Sequence, residues 1–210
     1  MRSVYYLAMD GAPADVAAFV LAGGKSTRMS TDKAFVLLDG RTLLDRALEL
    51  ARSVTSEVRI VGDGAKFAAF APVVEDIFPG CGPLGGIHAA LRRSTAELNL
   101  MLAVDLPFLP PQLLEFFVTR ARDSEVTVTV ARLSGRLQPL CAVYRREFGD
   151  AAEQALRAGR YKIGAVIDEV RKCVVDEEEL QSRGFAVEMF RNLNTPEDLA
   201  SAAADQRARG

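Results

Sequence analysis

The chain is poor in the residues on which several common kinds of catalytic and metal site depend. It has one histidine, His88, so a metal site built on two histidines is excluded. We interpret His88 as a structural residue or a minor ligand contact. Three cysteines, Cys81, Cys141 and Cys173, are widely spaced and form no C-x-x-C pair, which disfavours a zinc site and suits a reducing cytoplasm. Cys81 lies in a glycine-rich segment, but a nucleophilic role would need a histidine base that the sequence does not place beside it.

Long apolar runs and a strong charge bias are also missing. No stretch approaches the ~20 apolar residues of a membrane span, so we expect no membrane partner. Residues 1–14 show no basic region followed by an apolar core, so no secretory signal is expected and a cytoplasmic location is predicted. The formal charge of -2 disfavours a generic nucleic-acid binder, which is usually basic.

Apolar runs that alternate with amphipathic segments predict an α/β fold. Strands are predicted at 16–20, 57–61, 73–75, 98–104, 126–131 and 139–144, and helices begin near Thr42, Gly85, Pro110, Glu147 and Thr195. Strands separated by helices indicate three α/β/α layers around a mostly parallel sheet. We expect residues 1–15 to form an N-terminal extension and residues 16–205 to form a single domain.

The most informative segment is residues 21–33, which read LAGGKSTRMSTDK and follow the first predicted strand. Glycines let the backbone approach a ligand, and Lys25, Arg28 and Lys33 supply positive charge, so the segment predicts a triphosphate site. The alternative is that the segment is an ordinary glycine turn with solvent-exposed charges and binds no ligand. A Walker A loop is disfavoured because Phe19 stands where its first glycine is required, and no dinucleotide fingerprint G-x-G-x-x-G is present.

Two further segments follow predicted strands and would meet the first at the carboxyl edge of the sheet. Residues 76–86 read DIFPGCGPLGG and end at a helix start, where free amides favour an anion. Residues 105–110 read DLPFLP and place Asp105 directly after an apolar strand. Asp105 could be a turn residue, or a magnesium ligand because hard cations prefer carboxylate oxygen.

Together these segments resemble the molybdenum cofactor guanylyltransferases, a family of nucleotidyltransferases. The first resembles the pattern L-A-G-G-x-S-x-R-M-G-x-D-K, with Ser30 in place of the usual glycine. The others resemble D-x-x-P-G-x-G-P-L-x-G and D-x-P-F-L. Residues 192–199 resemble N-x-N-T-P-E-D-L, although helix capping by Thr195 explains residues 195–198 well. Residues 135–140 resemble the family's loop on the pterin side.

The resemblance implies a Rossmann-like sheet of the nucleotide-diphospho-sugar transferase type. It also implies transfer of GMP from GTP to molybdopterin with release of pyrophosphate, with Mg²⁺ as cofactor and cofactor-delivery proteins or apo-molybdoenzymes as further partners. Asp105 would hold the metal, and Asn194 could reach the metal or the pterin phosphate. The catalytic residues would be Lys33, Arg28 and Asp105. The implied nucleotide-binding residues are Leu21, Ala22, Gly23, Gly24, Lys33, Gly62, Asp76, Gly82, Pro83, Leu84, Gly85 and Asp105.

Other functions stay open at this point. CTP-dependent molybdopterin nucleotidyltransferases and sugar-1-phosphate nucleotidyltransferases are the nearest catalytic alternatives. The L-A-G-G sequence is typical of the guanylyl branch, whereas the cytidylyl branch typically reads T-A-A-G. A P-loop-like NTPase and a non-catalytic nucleotide-binding module are the remaining hypotheses, and pyrophosphate release would separate the latter from an enzyme.

Overall fold

The computed structural model describes residues 15–23 and 32–207. The proposed extension, residues 1–15, therefore lies outside the described residues except for Asp15. The strands are β1 Val16–Leu21, β2 Leu37–Leu38, β3 Arg41–Thr42, β4 Val58–Val61, β5 Val73–Val74, β6 Leu98–Ala103, β7 Val128–Leu133, β8 Arg136–Arg145 and β9 Lys172–Asp176. The α-helices are α1 Leu43–Arg52, α2 Gly64–Phe67, α3 Pro83–Arg93, α4 Pro111–Arg122, α5 Phe148–Arg157, α6 Ile163–Asp168, α7 Glu177–Ser182 and α8 Pro196–Arg207.

A seven-stranded sheet with the order β5-β4-β1-β6-β8-β7-β9 forms the centre of the fold. β1 pairs in parallel with β4 and β6, and β7 pairs in parallel with β9. β8 is the exception, because it runs antiparallel to both β6 and β7. The prediction of a mostly parallel sheet is confirmed.

The reversal of β8 has a local cause. Ser134 and Gly135 connect β7 to β8, and both have positive φ, 47° and 76°. Two such residues make the tight turn whose twist suits a β-hairpin, and a hairpin requires antiparallel strands. β8 therefore enters the sheet from the end at which the parallel strands finish. This brings the beginning of β8 close to the carboxyl edge of β6.

Helices cover both faces of the sheet. Along β1, Ala18 and Val20 pack into the core beneath α1 and α4, whereas Phe19 and Leu21 pack into the core beneath α3 and α5. All six residues of β1 and all six of β6 are buried, as expected for strands covered on two faces. The predicted three-layer arrangement is confirmed. None of the described helices is long and apolar enough to cross a membrane.

The starts of α1 and α4 follow the predicted signals, whereas α3 begins at Pro83, before the predicted start at Gly85. Thr42 caps α1 by accepting a hydrogen bond from the backbone N–H of Asp45 at 3.0 Å. Pro83 and Pro111 are the first residues of α3 and α4, where a missing N–H costs nothing. Six short elements were not identified from the sequence: β2, β3 and α2 in the first half of the chain, and α6, β9 and α7 in the second. In addition, β8 begins at Arg136 instead of at residue 139.

Candidate active site

A cavity of about 580 Å³ lies at the carboxyl ends of β1 and β6. It collects residues from all three segments that the sequence singled out, as expected for the edge of a parallel sheet. Eight predicted site residues line it: Leu21, Ala22, Gly23, Lys33, Asp76, Gly82, Pro83 and Asp105. Six further lining residues were absent from the predicted set: Val61, Gly80, Gly86, Ala103, Val104 and Leu140.

The floor of the opening loop is fixed by hydrogen bonds to the neighbouring strand. The backbone N–H groups of Ala22 and Gly23 both donate to the carbonyl oxygen of Val61 at 3.0 Å. Among the described residues, a Cβ on Gly23 would meet only ordinary contacts at 3.7 Å, so their packing does not require glycine there. The bare backbone of Gly23 is instead available to a bound molecule. Gly24 and Arg28, both predicted site residues, lie outside the described residues.

Gly62 does not line the cavity. A Cβ at this position would lie 2.8 Å from the ring of Phe67, which is buried under the β4–α2 connection. The absence of a side chain at Gly62 is therefore explained by the packing of Phe67. Its predicted role in nucleotide binding could only be indirect, through the placement of the loop that carries Gly23.

Lys33, Asp105 and Asn194 meet although they are far apart in sequence; Lys33 and Asp105 line the cavity, whereas Asn194 does not. The Lys33 ammonium lies 3.2 Å from Oδ2 of Asp105 and donates a hydrogen bond to Oδ1 of Asn194. Only 23% of the Lys33 side chain and 17% of the Asp105 side chain are exposed. This contact joins the opening segment, the end of β6 and the C-terminal segment into one polar cluster.

Lys33 reaches the cavity because the chain turns just before it. Asp32 accepts a hydrogen bond from the backbone N–H of Ala34 at 3.2 Å and thereby begins a 3-10 helix, Lys33–Phe35. The second oxygen of Asp32 lies 3.0 Å from the ammonium of Lys66 in α2. Phe35 stacks on Phe67 with ring centroids 5.7 Å apart. An ion pair and an aromatic contact thus fix the backbone from which Lys33 extends.

Asn194 is held by the start of the last helix. Oδ2 of Asp198 accepts hydrogen bonds from the backbone N–H groups of Asn194 and Thr195, both at 2.9 Å, and Thr195 Oγ1 accepts one from Asp198 N–H at 3.1 Å. This reciprocal pair is a capping box. The hydrogen bonds to the Asn194 and Thr195 amides keep the pKa of Asp198 below its usual value. The predicted capping by Thr195 is confirmed, and it positions the neighbouring Asn194.

Two glycines at the start of α3, Gly82 before the helix and Gly85 in its first turn, are required for different physical reasons. Gly82 has φ of 66°, a conformation that side chains disfavour, and it directly precedes the first residue of α3. A Cβ on Gly85 would lie 3.0 Å from the carbonyl oxygen of Phe78, so Gly85 allows the loop to fold tightly against the helix. Gly85 does not line the cavity. Leu84 is fully buried in the core, so only its backbone could serve a ligand.

Asp76 is the second carboxylate of the cavity. Burial raises the pKa of Asp76, because it removes water that would otherwise stabilise the charged carboxylate. A Cβ on Gly86 would lie 3.5 Å from its Oδ1. The glycine therefore keeps the space beside this oxygen open. A cation or a hydrogen-bond donor could occupy that space and stabilise the charged form.

His88 serves structure. Its Nε2 lies 3.3 Å from Oε2 of Glu153. Its ring packs against the Phe78 ring in a T-shaped arrangement with ring centroids 5.2 Å apart. The imidazole is buried between α3 and α5 and is not one of the residues that line the cavity. It supports the glycine loop through Phe78. Cys81 likewise does not line the cavity.

The cluster cannot be a closed metal site of the structural kind. Within residues 15–23 and 32–207, no group of three or more His, Cys, Asp or Glu residues could hold a metal ion. The oxygens of Asp105, Asp76 and Asn194 are nevertheless hard donors in or beside one cavity. Mg²⁺ is usually held by one or two carboxylates together with substrate phosphates and water. The donor set suits that mode of binding.

Comparisons with known proteins agree with this geometry. The model of the MobA-like NTP transferase domain matches residues 18–174. A molybdenum cofactor guanylyltransferase of Desulfosudis oleivorans is 34% identical over 196 residues, which are 92% of this chain and 96% of the relative. A probable molybdenum cofactor guanylyltransferase of Carboxydothermus hydrogenoformans is 33% identical over 180 residues, 85% of this chain and 90% of the relative.

Solved structures show the same fold. Molybdopterin-guanine dinucleotide biosynthesis protein A of Archaeoglobus fulgidus superposes with a TM-score of 0.81 at 26% identity, covering 91% of this chain and 99% of its own. A 2-C-methyl-D-erythritol 4-phosphate cytidylyltransferase of Thermus thermophilus superposes with a TM-score of 0.68 at 18% identity, covering 93% and 100%, and this likeness concerns the fold alone. The match of the domain model over most of the chain and the two relatives above 30% identity show that this chain belongs to the MobA-like family of nucleotidyltransferases.

Proposed function

We propose that this protein transfers GMP from GTP to molybdopterin, releases pyrophosphate and forms the guanine dinucleotide of the cofactor. The observation that carries the proposal is the meeting of Lys33 and Asp105 beside the bare backbone of Gly23, in a cavity large enough for a nucleotide. The relatives named as molybdenum cofactor guanylyltransferases support the choice of substrates.

The reaction needs little acid–base chemistry from the protein. The terminal phosphate of molybdopterin attacks the α-phosphorus of GTP, a new P–O bond forms, and pyrophosphate leaves with the electrons of the broken P–O bond. The attacking phosphate is already anionic at neutral pH, so no strong general base is required. Catalysis then rests on positioning and on neutralising charge. The single histidine, held by Glu153 outside the cavity lining, fits that requirement.

Lys33 would neutralise charge on the triphosphate. Its ammonium is placed in the cavity by the 3-10 helix that begins after Asp32, and its four-carbon stem can move from Asp105 to a phosphate oxygen. Within the described part of this loop, the amides of Ala22 and Gly23 are already committed to Val61, so Lys33 and the bare Cα of Gly23 are what that part offers to a phosphate. Arg28, outside the described residues, is proposed as a second cation.

Mg²⁺ would be held by Asp105, with Asn194 and Asp76 as further oxygen donors. The fit is supported by the Lys33 ammonium, which contacts one oxygen of Asp105 and one of Asn194 at a single position. When bound, the metal supplies positive charge that neutralises the phosphates. The protein's own contribution is to fix the backbone that carries this carboxylate: the main-chain carbonyl oxygen of Asp105 accepts a hydrogen bond from Leu193 N–H at 3.0 Å.

The acceptor would enter beside β8. Leu140 lines the cavity, and residues 135–140 precede the point at which Cys141 pairs with Leu102 of β6. This half of β8 is only partly buried and lies beyond the carboxyl end of the parallel strands. We place the reaction in the cytoplasm, in keeping with three free cysteines. Cofactor-delivery proteins or apo-molybdoenzymes would receive the product.

A pyrophosphate-release assay tests the proposal. Purified protein is mixed with Mg²⁺ and each of GTP, CTP, ATP and UTP, with molybdopterin, a sugar 1-phosphate or no acceptor. The proposal requires release only when GTP and molybdopterin are both present, and a guanine dinucleotide product by mass spectrometry. Release with a sugar 1-phosphate, or with CTP in preference to GTP, would assign the alternative transferases. No release with any pair would leave nucleotide binding alone.

A further inference from the structure

The Lys33 ammonium is bonded to the oxygen atoms that a divalent cation would need as ligands. Oδ2 of Asp105 lies 3.2 Å from Nζ, and Oδ1 of Asn194 accepts a hydrogen bond from the same ammonium. An ammonium group has three donors and no acceptor, so the atom of Asn194 that faces it must be the amide oxygen. Both atoms are therefore ligands of the kind that hard cations select.

We infer that Lys33 acts as a placeholder for the divalent cation, so that the metal binds at Asp105 only after a triphosphate has drawn the ammonium away. This inference rests on the metal role proposed above for Asp105. It adds an order of events: nucleotide first or together with metal, and little metal binding to the empty protein.

Charge and burial favour this order. The Asp105 carboxylate carries one negative charge, which the Lys33 ammonium already neutralises in a cluster where less than a quarter of either side chain is exposed. A divalent cation at Asp105 would face this ammonium at short range in a poorly hydrated place, where repulsion is weakly screened. Among the described residues no group of three or more His, Cys, Asp or Glu side chains forms a ready-made metal cluster that could offset the repulsion.

A bound triphosphate would favour the metal over the lysine at Asp105. It brings several negative charges into the cavity and gives the ammonium a new partner, which the flexible lysine stem can reach without moving the backbone fixed by Asp32 and Phe35. The released oxygens of Asp105 and Asn194 then face a site that is rich in phosphate oxygen. Before nucleotide arrives, the same ion pair prevents an uncompensated carboxylate from being buried in the cavity.

The test measures metal binding without nucleotide. Mn²⁺ is used because it favours the same oxygen ligands as Mg²⁺ and its free fraction can be followed by electron paramagnetic resonance. Lys33→Met removes the ammonium and keeps the apolar stem. We expect Lys33→Met to lower the Kd for Mn²⁺ of the nucleotide-free protein at least tenfold. Lys33→Arg, which keeps the positive charge, should bind Mn²⁺ as weakly as the wild-type protein.

Two controls make the result specific. Lys172→Met also removes a lysine from an aspartate, Asp168 at 3.0 Å, and should leave Mn²⁺ binding unchanged. Adding Asp105→Asn to Lys33→Met should abolish the gain. An equal gain in Lys172→Met, or a gain that survives Asp105→Asn, would overturn the inference.

An unchanged Kd in Lys33→Met would also overturn it, with Lys33→Gln as the second variant if Lys33→Met does not fold. Failure of the proposed function is recognised separately, because it appears as absent pyrophosphate release by the wild-type protein, whereas the Mn²⁺ titration contains no nucleotide or acceptor.

Discussion

Replacing Asp105 by asparagine separates the metal role from the structural role of this residue. Asp105→Asn keeps the shape of the side chain and leaves the backbone hydrogen bond from Leu193 in place. It removes the negative charge that would hold Mg²⁺, so an electrostatic contribution typical of a preorganised site is lost. Such losses are about 3–4 kcal/mol, and we expect kcat to fall by roughly a hundredfold to a thousandfold.

The cost in stability should be much smaller. The Lys33–Asp105 pair is mostly but not fully buried, so its loss falls between the 0–1 kcal/mol of surface pairs and the ~3–5 kcal/mol of buried ones. Asn can still accept a hydrogen bond from Lys33, so we take about 1–2 kcal/mol. For a domain of this size that lowers Tm by roughly 2–8 °C.

The assay is pyrophosphate release at several Mg²⁺ concentrations, together with thermal unfolding. Asp168→Asn is the matched control, because Asp168 also pairs with a lysine, Lys172, at 3.0 Å but is largely exposed and outside the cavity lining. It should leave kcat unchanged. Near-normal turnover of Asp105→Asn with a native Tm would refute the reasoning and move the metal to Asp76, which Asp76→Asn would then test.

Three further outcomes are expected. Lys33→Ala should lose about 3 kcal/mol of transition-state stabilisation, and a loss below about tenfold in kcat/KM would mean that Lys33 does not neutralise charge on the triphosphate. GTP should be used with a kcat/KM at least tenfold above that of CTP, because guanine offers an N–H edge that cytosine cannot copy; equal use would remove the base assignment. Hydrogen bonds from Arg157, Arg92 and His88 lower the pKa of Glu153 from 4.5 to about 2, so its contribution to stability is full above pH 4.5 and is lost as the pH falls towards 2. Urea unfolding at pH 6 and pH 3 should therefore show a smaller acid-induced loss in Glu153→Gln than in the wild-type protein, and equal losses would contradict this.

The parts of the fold that sequence predicted well are those in which local signals are strong. β1 is a continuous apolar run, β6 is apolar except for Asn99, and both are buried on both faces and were located within one residue of their ends. The starts of α1 and α4 carry a threonine cap and a proline, which act through the nearest backbone groups. Such signals do not depend on the rest of the chain.

The first three residues of β8 and the whole of β9 were not predicted from the sequence, and neither was the antiparallel direction of β8. β8 contains Arg136, Gln138 and Pro139 in its first, half-buried part, so no apolar run marks it. β9 is an edge strand that pairs only with β7 and is mostly half-buried. Leu140 was missed as a cavity residue for the same reason, since its position depends on β8 running against the other strands.

Individual members of the polar cluster could be predicted from the sequence, but their meeting in one place could not. Asp105 could be placed by its position after a buried strand, and Lys33 by its position at the end of the opening segment. Asn194 is 161 positions from Lys33, and no local pattern predicts that the two side chains meet. Only the resemblance to a known family pointed to it.

The C-terminal segment explains how so few polar groups can form an ordered site. Leu193 is buried in the core, and its N–H is bonded to the carbonyl oxygen of Asp105, so the packing of one residue fixes the loop after β6. The capping box at Thr195 then sets the backbone of Asn194, one residue away. The side chain of Asn194 accepts a hydrogen bond from Lys33, and Asp32 fixes the backbone of Lys33. The backbone of each residue in the cluster is thus held by hydrogen bonds that lie outside the cluster. The side chains can therefore change partners, from lysine to metal or from carboxylate to phosphate, while the surrounding structure stays in place. A reaction based on charge neutralisation requires such a site.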